Sequence, residues 1–533
     1  MEIHDHIVVG SGCAGAMAAQ TLVEAGVQVT MLDVGIRDEK YSDRIPAIDF
    51  SKLRETDDQQ DRYLLGDEFE SLNETAIATG AQLTPPRFHM AKMMLQAIRS
   101  ETFFPMESFA YGGLGSGWGL GCCMFSEAEL KKCGLNISEM QNAYRIIAQR
   151  IGVSGTKDDA APYTCGDLNA IMPSLEMDEN GKAINKKYSD KQEKLNFKGF
   201  FLGRPSLALH TEDRGERKKY ANHDLDFYSD AGESAYRPWI TINALKKKNN
   251  FRYLGDMAVL SFSEDADGII INVLDVSAKK KMNYRCKKLL LAPGVLQTGR
   301  IVLRSMGGTD LPLLCNPYCY IPSIQWKMLG KRNAGINIGF AQNSLFHDED
   351  GRNDDVAMAS IYSYHSLMMF RIIKQAPLNF RDARLLMQYL MPALTIFGIH
   401  HPEEAGGNKK IIRKKDPISE ADDIFESEYH LSGNEKQKIE TREKKYLWAM
   451  RKLGCYAIKK IDPGLGSSIH YAGILPFNDA GKKFSIATSG LLNGTKNVFV
   501  ADASGFRYLP AKGLTFSIFA NAHNVALNSL KNE

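Results

Sequence analysis

The sequence predicts an α/β protein with a Rossmann-like nucleotide site at its N-terminal end. Three observations predict it. An apolar strand, a Gly-rich turn, a helix and a second strand ending in an acid fill the stretch from Ile7 to Asp33. A strand at Leu289-Leu290-Leu291 runs into Ala292-Pro293-Gly294 and a helix. A third strand, Asn497 to Val500, leads to Asp502 shortly before the last helix. Strands alternating with helices in this way call for a parallel sheet covered by helices.

At the N-terminus, Ile7-Val8-Val9 reads as a buried parallel strand. Gly10-Ser11-Gly12-Cys13-Ala14-Gly15 then matches GxGxxG, and Ala16 to Ala25 reads as a helix stopped by Gly26. Val27 to Leu32 is the second strand, and Asp33 ends it. Gly10 allows the tight turn, Gly12 lets backbone approach a pyrophosphate, and Gly15 permits close helix–strand packing. The helix N-terminus offers N–H groups to phosphates, and Asp33 can accept hydrogen bonds from a ribose. The acid disfavours a 2′-phosphate. The residues themselves leave FAD and NAD open.

Residues 40–80 read as loop with short helices. Tyr111 to Gly121 carries so many glycines that backbone there should pass close to another group. Ile137 to Ile151 reads as a helix. Residues 175–222 read as charged loop, with a possible strand at Ser206 to Leu209. Pro238 to Lys248 reads as a short helix. Phe251 to Phe262 and Ile269 to Val276 read as strands around an Asp-Ala-Asp-Gly turn, and Val295 to Ser305 as a helix. Residues 346–355 form an acidic, solvated loop. Ser432 and Glu435 form a capping box before a helix that should reach Leu453.

Composition narrows the function classes. The 533 residues are 44% hydrophobic and 24% charged, which rules out wholesale disorder. A net charge of +3 gives no reason to expect nucleic acid or an anionic membrane. Nine cysteines, two of them adjacent at Cys122 and Cys123, read as reduced thiols. No Cys pair has zinc-site spacing, so no metal is expected. No signal peptide is evident, and Leu385 to Ile399, the most apolar segment, is too short to span a bilayer. A soluble, cytoplasmic protein is expected. The Met- and Leu-rich region from Leu367 to Ile399 reads as a buried helix pair, with shallow membrane contact as the alternative.

The C-terminal part carries Gly466-Ser467-Ser468-Ile469-His470-Tyr471-Ala472-Gly473, then Val500-Ala501-Asp502-Ala503-Ser504, then Leu509-Pro510-Ala511-Lys512-Gly513 before a helix from Thr515 to Leu530. Together with the N-terminal turn, Gly112-Gly113 to Trp118-Gly119 and Leu291-Ala292 to Gln297-Thr298, these stretches resemble the glucose–methanol–choline (GMC) oxidoreductases. The resemblance covers about half of the chain. It implies two domains: a FAD-binding domain at residues 1–135, 205–310 and 455–533, and an inserted α+β substrate domain at residues 136–204 and 311–454.

The resemblance implies FAD, with Gly10, Ser11, Gly12, Ala14, Gly15 and Asp33 at its ADP half. Val259 would contact the adenine through its backbone, and Ala292 and Gly294 would border the adenosine. Gly112, Gly113, Ser116, Trp118 and Gly119 would lie along the flavin. Asp502 and Ala503 would hold the ribityl and pyrophosphate portion. Leu514 and Thr515 would bring the last helix's positive end to the flavin pyrimidine. Some relatives attach FAD through a His just before the Trp; Gly117 stands there, so non-covalent FAD is expected.

His470 matches the His-x-x-Gly of the family and is expected to take an alcohol proton, imidazole being a base near working pH. The family's second His or Asn would fall near Ala511 or Lys512, and neither is His or Asn. Lys512 reads as a solvated turn residue with help to His470 as the alternative, His523 as structural, and His400-His401 as an exposed loop pair with lining a pocket or binding a metal as the alternatives. The expected activity is oxidation of a CH–OH group of a sugar or glycoside, with the electron acceptor open. A sterol or fatty alcohol, a lyase with structural FAD, and a flavin-binding protein without turnover are the rivals.

Overall fold

A computed structural model describes residues 2–37, 98–168, 171–220, 232–331, 340–363, 377–417 and 423–531, with scattered positions between 44 and 68. Most of the expected loop at 40–80 lies outside the described residues. Among them, no helix is long and apolar enough to cross a membrane.

β1 (Ile3–Val9) leads into α1 (Cys13–Glu24) and β2 (Val29–Leu32). β1 pairs in parallel with β2 on one side and with the Lys280–Leu291 strand on the other. β2 pairs in parallel with Phe251–Leu254, and Val498–Val500 pairs in parallel with the end of Lys280–Leu291. Segments from the start, middle and end of the chain thus share one sheet. Its central strands are buried on both faces, which is why Ile7-Val8-Val9 and Leu289-Leu290-Leu291 show no polar alternation. The hairpin of Met257–Asp265 and Gly268–Asp275 extends the sheet along the outer half of Lys280–Leu291.

Two expectations are corrected in this sheet and beside it. The expected strand from Phe251 to Phe262 is two strands, broken at Gly255-Asp256. Asp256 takes φ = 61°, and the two halves sit at different places in the sheet. Residues 175–222 are not simply loop. They contain helices Glu179–Ser189 and Gln192–Asn196 and the strand Phe200–Gly203. Asp178 caps the first helix by accepting from Gly181 N–H at 2.8 Å, and Ile184, Tyr188 and Leu195 are buried anchors of the pair. Leu207 and Leu209 make only isolated bridges.

A second sheet of six antiparallel strands runs in the order Cys455–Ala457, Tyr318–Gln325, Leu394–His400, Ala357–Ser363, Ala341–His347, Phe200–Gly203. Helix Gly433–Lys452, capped by Ser432 and Glu435, covers its rear face with Tyr446, Ala449 and Met450 against Cys319, Ile321, Ala359 and Phe397. The expected buried helix pair between Leu367 and Ile399 is corrected here. Its described part is one helix, Phe380–Leu390, followed by the strand Leu394–His400. Pro392 helps end the helix, and β-branched Thr395, Ile396 and Ile399 suit a strand held between two neighbours. Leu385 and Leu386 are 56% and 48% exposed.

All nine cysteines are free thiols, eight of them buried. The acidic loop at 346–355 is not wholly solvated: Asp348 is buried and accepts from Tyr163 OH at 3.1 Å and Asn353 N–H at 2.9 Å. His523 is structural. Its Nδ1 bonds Thr21 Oγ1 of α1 at 2.8 Å.

His347 lies buried between Phe200, at 4.5 Å, and Tyr446, at 6.1 Å, and neither ring nitrogen has a hydrogen-bond partner among the described residues. Burial, helped by Arg442 and Lys445, pushes its pKa down to about 4. The unfolded chain takes up this proton at a higher pH than the folded one, so stability falls as pH drops from about 6.5 towards about 4. His347→Phe should therefore lose less melting temperature than wild type between about pH 7 and about pH 5. Equal losses would show that His347 is not a source of acid sensitivity.

Candidate functional site

A cavity of about 500 Å³ runs along the C-terminal ends of the parallel strands and reaches the front of the second sheet. The first wall forms where β1 and the Lys280–Leu291 strand end side by side. A Cβ on Gly10 would stand 2.8 Å from Pro293 Cα and 2.9 Å from the Ala292 carbonyl. A Cβ on Gly15 would collide with the Gly10 carbonyl. These glycines are required by the chain's own packing.

Gly12 differs. Its φ of −67° suits any residue, and an added Cβ would meet only the Gly112 carbonyl at 3.8 Å. Gly294 and Gly121 would bring a Cβ near nothing within 4 Å, and all three line the cavity. Smallness at Gly12 is thus not required by the chain's own packing; it leaves space open in the cavity at the first turn of α1, where N–H groups lack helical partners.

Asp33 is buried and accepts three hydrogen bonds: from Ser11 N–H at 3.2 Å, Ser11 Oγ at 2.5 Å and Tyr253 OH at 2.9 Å. Burial pushes its pKa up against the pull of these donors. The Ser11 hydroxyl in turn accepts from Gly112 N–H at 2.8 Å, which ties the second glycine stretch to the first. That stretch forms a tight turn at Gly113–Gly117. Trp118 donates from Nε1 to the Tyr236 carbonyl at 2.9 Å and packs edge-on against Phe519.

Gly10, Ser11, Gly12, Ala14, Asp33, Gly113, Trp118, Gly119, Val259, Ala292, Gly294, His470, Asp502, Ala503, Leu514 and Thr515 all line the cavity. Gly15, Gly112 and Ser116 do not; they build its wall. Gly112 sits at φ = 89°, and Ser116 Oγ donates to the Tyr111 carbonyl at 2.8 Å. At Val259 the ladder with Gly268–Asp275 shifts register before Ser261, which opens the strand edge to the cavity. The Asp502 carboxylate is used within the chain, accepting from Thr298 Oγ1 at 2.6 Å and from Ser504 N–H and Oγ at 2.9 and 2.5 Å. The lining at this end of the cavity, with open backbone N–H groups, Asp33 and the first turns of two helices, fits a nucleotide cofactor.

At the other end stands His470. Its turn is strained: Ile469 takes φ = 63°, a conformation that a β-branched residue rarely accepts. The strand pairing Leu314↔Ala472 and Cys315↔Tyr471 fixes the turn and carries Asn316 beside the ring. His470 Nδ1 lies 3.0 Å from Asn316 Oδ1. Nε2 has no partner among the described residues, and the residue lines the cavity. Burial pushes the His470 pKa down to about 4, so the ring is uncharged at neutral pH.

A second imidazole corrects the sequence reading. His400 and His401 are not an exposed loop pair. His400 ends the Leu394–His400 strand, lines the cavity and stacks on His470 at 4.8 Å between ring centroids. Tyr318 packs against it as well, tilted by 37° with 4.4 Å between ring centroids. Burial first, then the neighbouring imidazoles, hold its pKa well below 6.5. Its neighbour His401 is buried, 3.8 Å from Glu443. Alternation marks the face: Ile396 and His400 line the cavity, while Phe397 and Ile399 point into the rear core. That period of two is the sequence signal that could have found His400.

Lys512 is corrected too. It is fully buried and donates to Glu129 at 2.8 Å and Asn353 at 2.6 Å, while Ala511 lines the cavity. Around the imidazoles stand Tyr318, Tyr320, Tyr362, Ser344, Ser360 and Met358. No Lys or Arg lines the cavity among the described residues, and the Glu107 carboxylate is held bidentately by Arg300 at 2.6 and 2.7 Å.

No protein-family model and no curated protein matches this chain. Solved structures do. Pyridoxine 4-oxidase from Mesorbium loti is similar with a TM-score of 0.57 over 98% of each chain, at 12% identity. A formate oxidase from Aspergillus oryzae RIB40, in a structure concerned with FAD modification, is similar with a TM-score of 0.60 over 100% of this chain and 99% of that one, at 10% identity. At these identities the likeness shows the fold, which is α/β with a Rossmann-like domain.

Gly12→Ala should keep the fold, seen as unchanged circular dichroism and melting. It should weaken binding of a nucleotide cofactor about tenfold or more, since the methyl group enters the cavity. Undiminished cofactor content would show that nothing approaches Gly12.

Proposed function

We propose that the protein is a FAD-dependent oxidoreductase of the GMC kind, acting on a CH–OH group with His470 as the base. One observation carries this reading: an uncharged imidazole with a bare Nε2 stands in the same cavity as the dinucleotide turn. The likeness to two oxidases supports it.

FAD would be held by Gly10, Ser11, Gly12 and Ala14 at the first turn of α1, by Asp33, by backbone at Val259, Ala292 and Gly294, and by Ala503. Trp118 and Gly119 would flank its ring, with Leu514 and Thr515 at the start of the last helix. When bound, FAD supplies the acceptor for the carbinol hydride. His470 Nε2 takes the hydroxyl proton. Because burial keeps the ring unprotonated, Nε2 is open to a proton over a wide pH range, and the same burial makes it a weaker base than a solvated imidazole. His400, held neutral, keeps a ring N–H that can donate to the substrate oxygen as that proton leaves. Two stacked imidazoles disfavour a second positive charge, so one proton at a time is held there.

The substrate is a neutral alcohol, because no cation lines the cavity among the described residues to meet an acid. Tyrosine rings and serine hydroxyls around the imidazoles suit the apolar faces and hydroxyls of a sugar or glycoside. An apolar alcohol is the alternative; of the described residues between Leu367 and Ile399, Leu385 and Leu386 face outward and Ile396 lines the cavity. FAD is non-covalent in this reading, Gly117 offering no side chain for attachment. Acid precipitation should leave all flavin in the supernatant; flavin in the pellet would contradict this.

His470→Ala should keep FAD but slow anaerobic flavin bleaching by a substrate alcohol about 10²–10⁴-fold. An unchanged rate would remove His470 from the chemistry. Across a panel of alcohols, bleaching by long-chain alcohols alone would overturn the sugar reading.

A further inference from the structure

We propose that Asn316 is a positioning residue that fixes His470 in the tautomer with its proton on Nδ1 and its lone pair on Nε2. The proposal rests on the reading of His470 as the base.

The argument is one of donors and acceptors. Asn316 is buried, and its Nδ2 lies among three carbonyl oxygens: His401 at 2.8 Å, Leu509 at 3.2 Å and Pro510 at 3.2 Å. Carbonyl oxygens only accept, so the amide nitrogen must face them. A flipped amide would set Oδ1 against three like dipoles and lose the bonds Nδ2 gives them. Oδ1 therefore faces His470 Nδ1, 3.0 Å away, and Oδ1 has no proton to give. The hydrogen on that bond belongs to Nδ1. A neutral imidazole carries one N–H, so Nε2 is bare toward the cavity.

The same amide joins the parts of the site. Its three carbonyl partners lie at the end of the His400 strand and in the turn before the last helix. One side chain thus sets the base against the second imidazole and against the Ala511 wall. An amide also suits the task better than a carboxylate would. It accepts from Nδ1–H without a fixed charge that would hold the ring protonated.

The groups around His470 agree. His400 is stacked on it, Tyr318 lies beyond, and Cys315 touches Ser468 at 3.2 Å. Tyr471 follows it in the chain. Burial pushes the Cys315 and Tyr471 protons up and the His400 proton off, so all are neutral at neutral pH. Burial lowers the His470 pKa, with no Lys, Arg, Asp or Glu among the described residues acting on it.

The test uses the full chain as purified, labelled with ¹⁵N-histidine, with the His470 signals assigned by their loss in His470→Gln. Wild type should show a protonated Nδ1 and a bare Nε2, unchanged from about pH 8 to about pH 5. Asn316→Asp keeps the acceptor and adds a charge. Its His470 should titrate about one pH unit or more higher, and the acid limb of flavin bleaching should move with it while KM changes little. A proton on Nε2 in wild type would overturn the proposal. So would an unmoved titration in a folded Asn316→Asp. If that variant does not fold, Asn316→Ser serves: a mixed tautomer and a lower bleaching rate support the proposal, and a wild-type spectrum overturns it. Failure of every alcohol to bleach wild-type flavin would sink the oxidoreductase reading and leave the tautomer result standing on its own.

Discussion

The close approach of two backbones, Gly10 against Ala292 and Pro293, is the constraint on which the rest of the molecule depends. It exists because β1 and the Lys280–Leu291 strand are paired in parallel and in register to their last residues, Val9↔Leu291. Parallel pairing brings both chain exits to the same edge, and there both chains must turn at once. With φ = 93° at Gly10 and 91° at Gly294, neither turn can be made cheaply by another residue. The turns leave a cleft outside the strand ends, the place where open parallel sheets bind ligands. Ser11, bonded to Asp33 and to Gly112, then fixes the second glycine stretch over the first.

The second sheet completes the cavity by a different logic. Its strands pair antiparallel and show one face to the Gly433–Lys452 helix, so the other face is left for the cavity. Register does the placing. Tyr318, His400 and Met358 are cross-strand neighbours, and Tyr320, Gly398 and Ser360 form the next row. Gly398 has no side chain where a Cβ would lie 2.9 Å from the Tyr318 hydroxyl, which leaves room for the ring that packs against His400. Burial then does the electrostatic work. It keeps both imidazoles neutral without a charged partner, and the Asn316 amide decides which nitrogen is bare.

Much of the first sheet was legible because its signals are local. Strand, turn, helix and acid follow one another without interruption from Ile7 to Asp33, and Ile137 to Ile151 shows a clean helical period with a glycine stop. What was not legible depends on distant partners. Lys512 is buried because Glu129 meets it 383 residues away. Asn316 gains its role from three carbonyls and a ring that the chain brings together only on folding. In residues 175–222, Lys182, Lys186, Lys187 and Glu193 lie on the outer faces of two short helices and mask the anchors at Ile184, Tyr188 and Leu195. The two other motif glycines divide as their spacing implied: the chain's own packing requires Gly15 to be small and does not require it of Gly12.

The most direct measurement of the central claim is the native mass of the purified full chain, taken before and after denaturation. One FAD per chain in the native state, released intact on unfolding, is the predicted result. A chain that carries no FAD and takes none up on incubation would contradict the account, whatever the likeness of its fold.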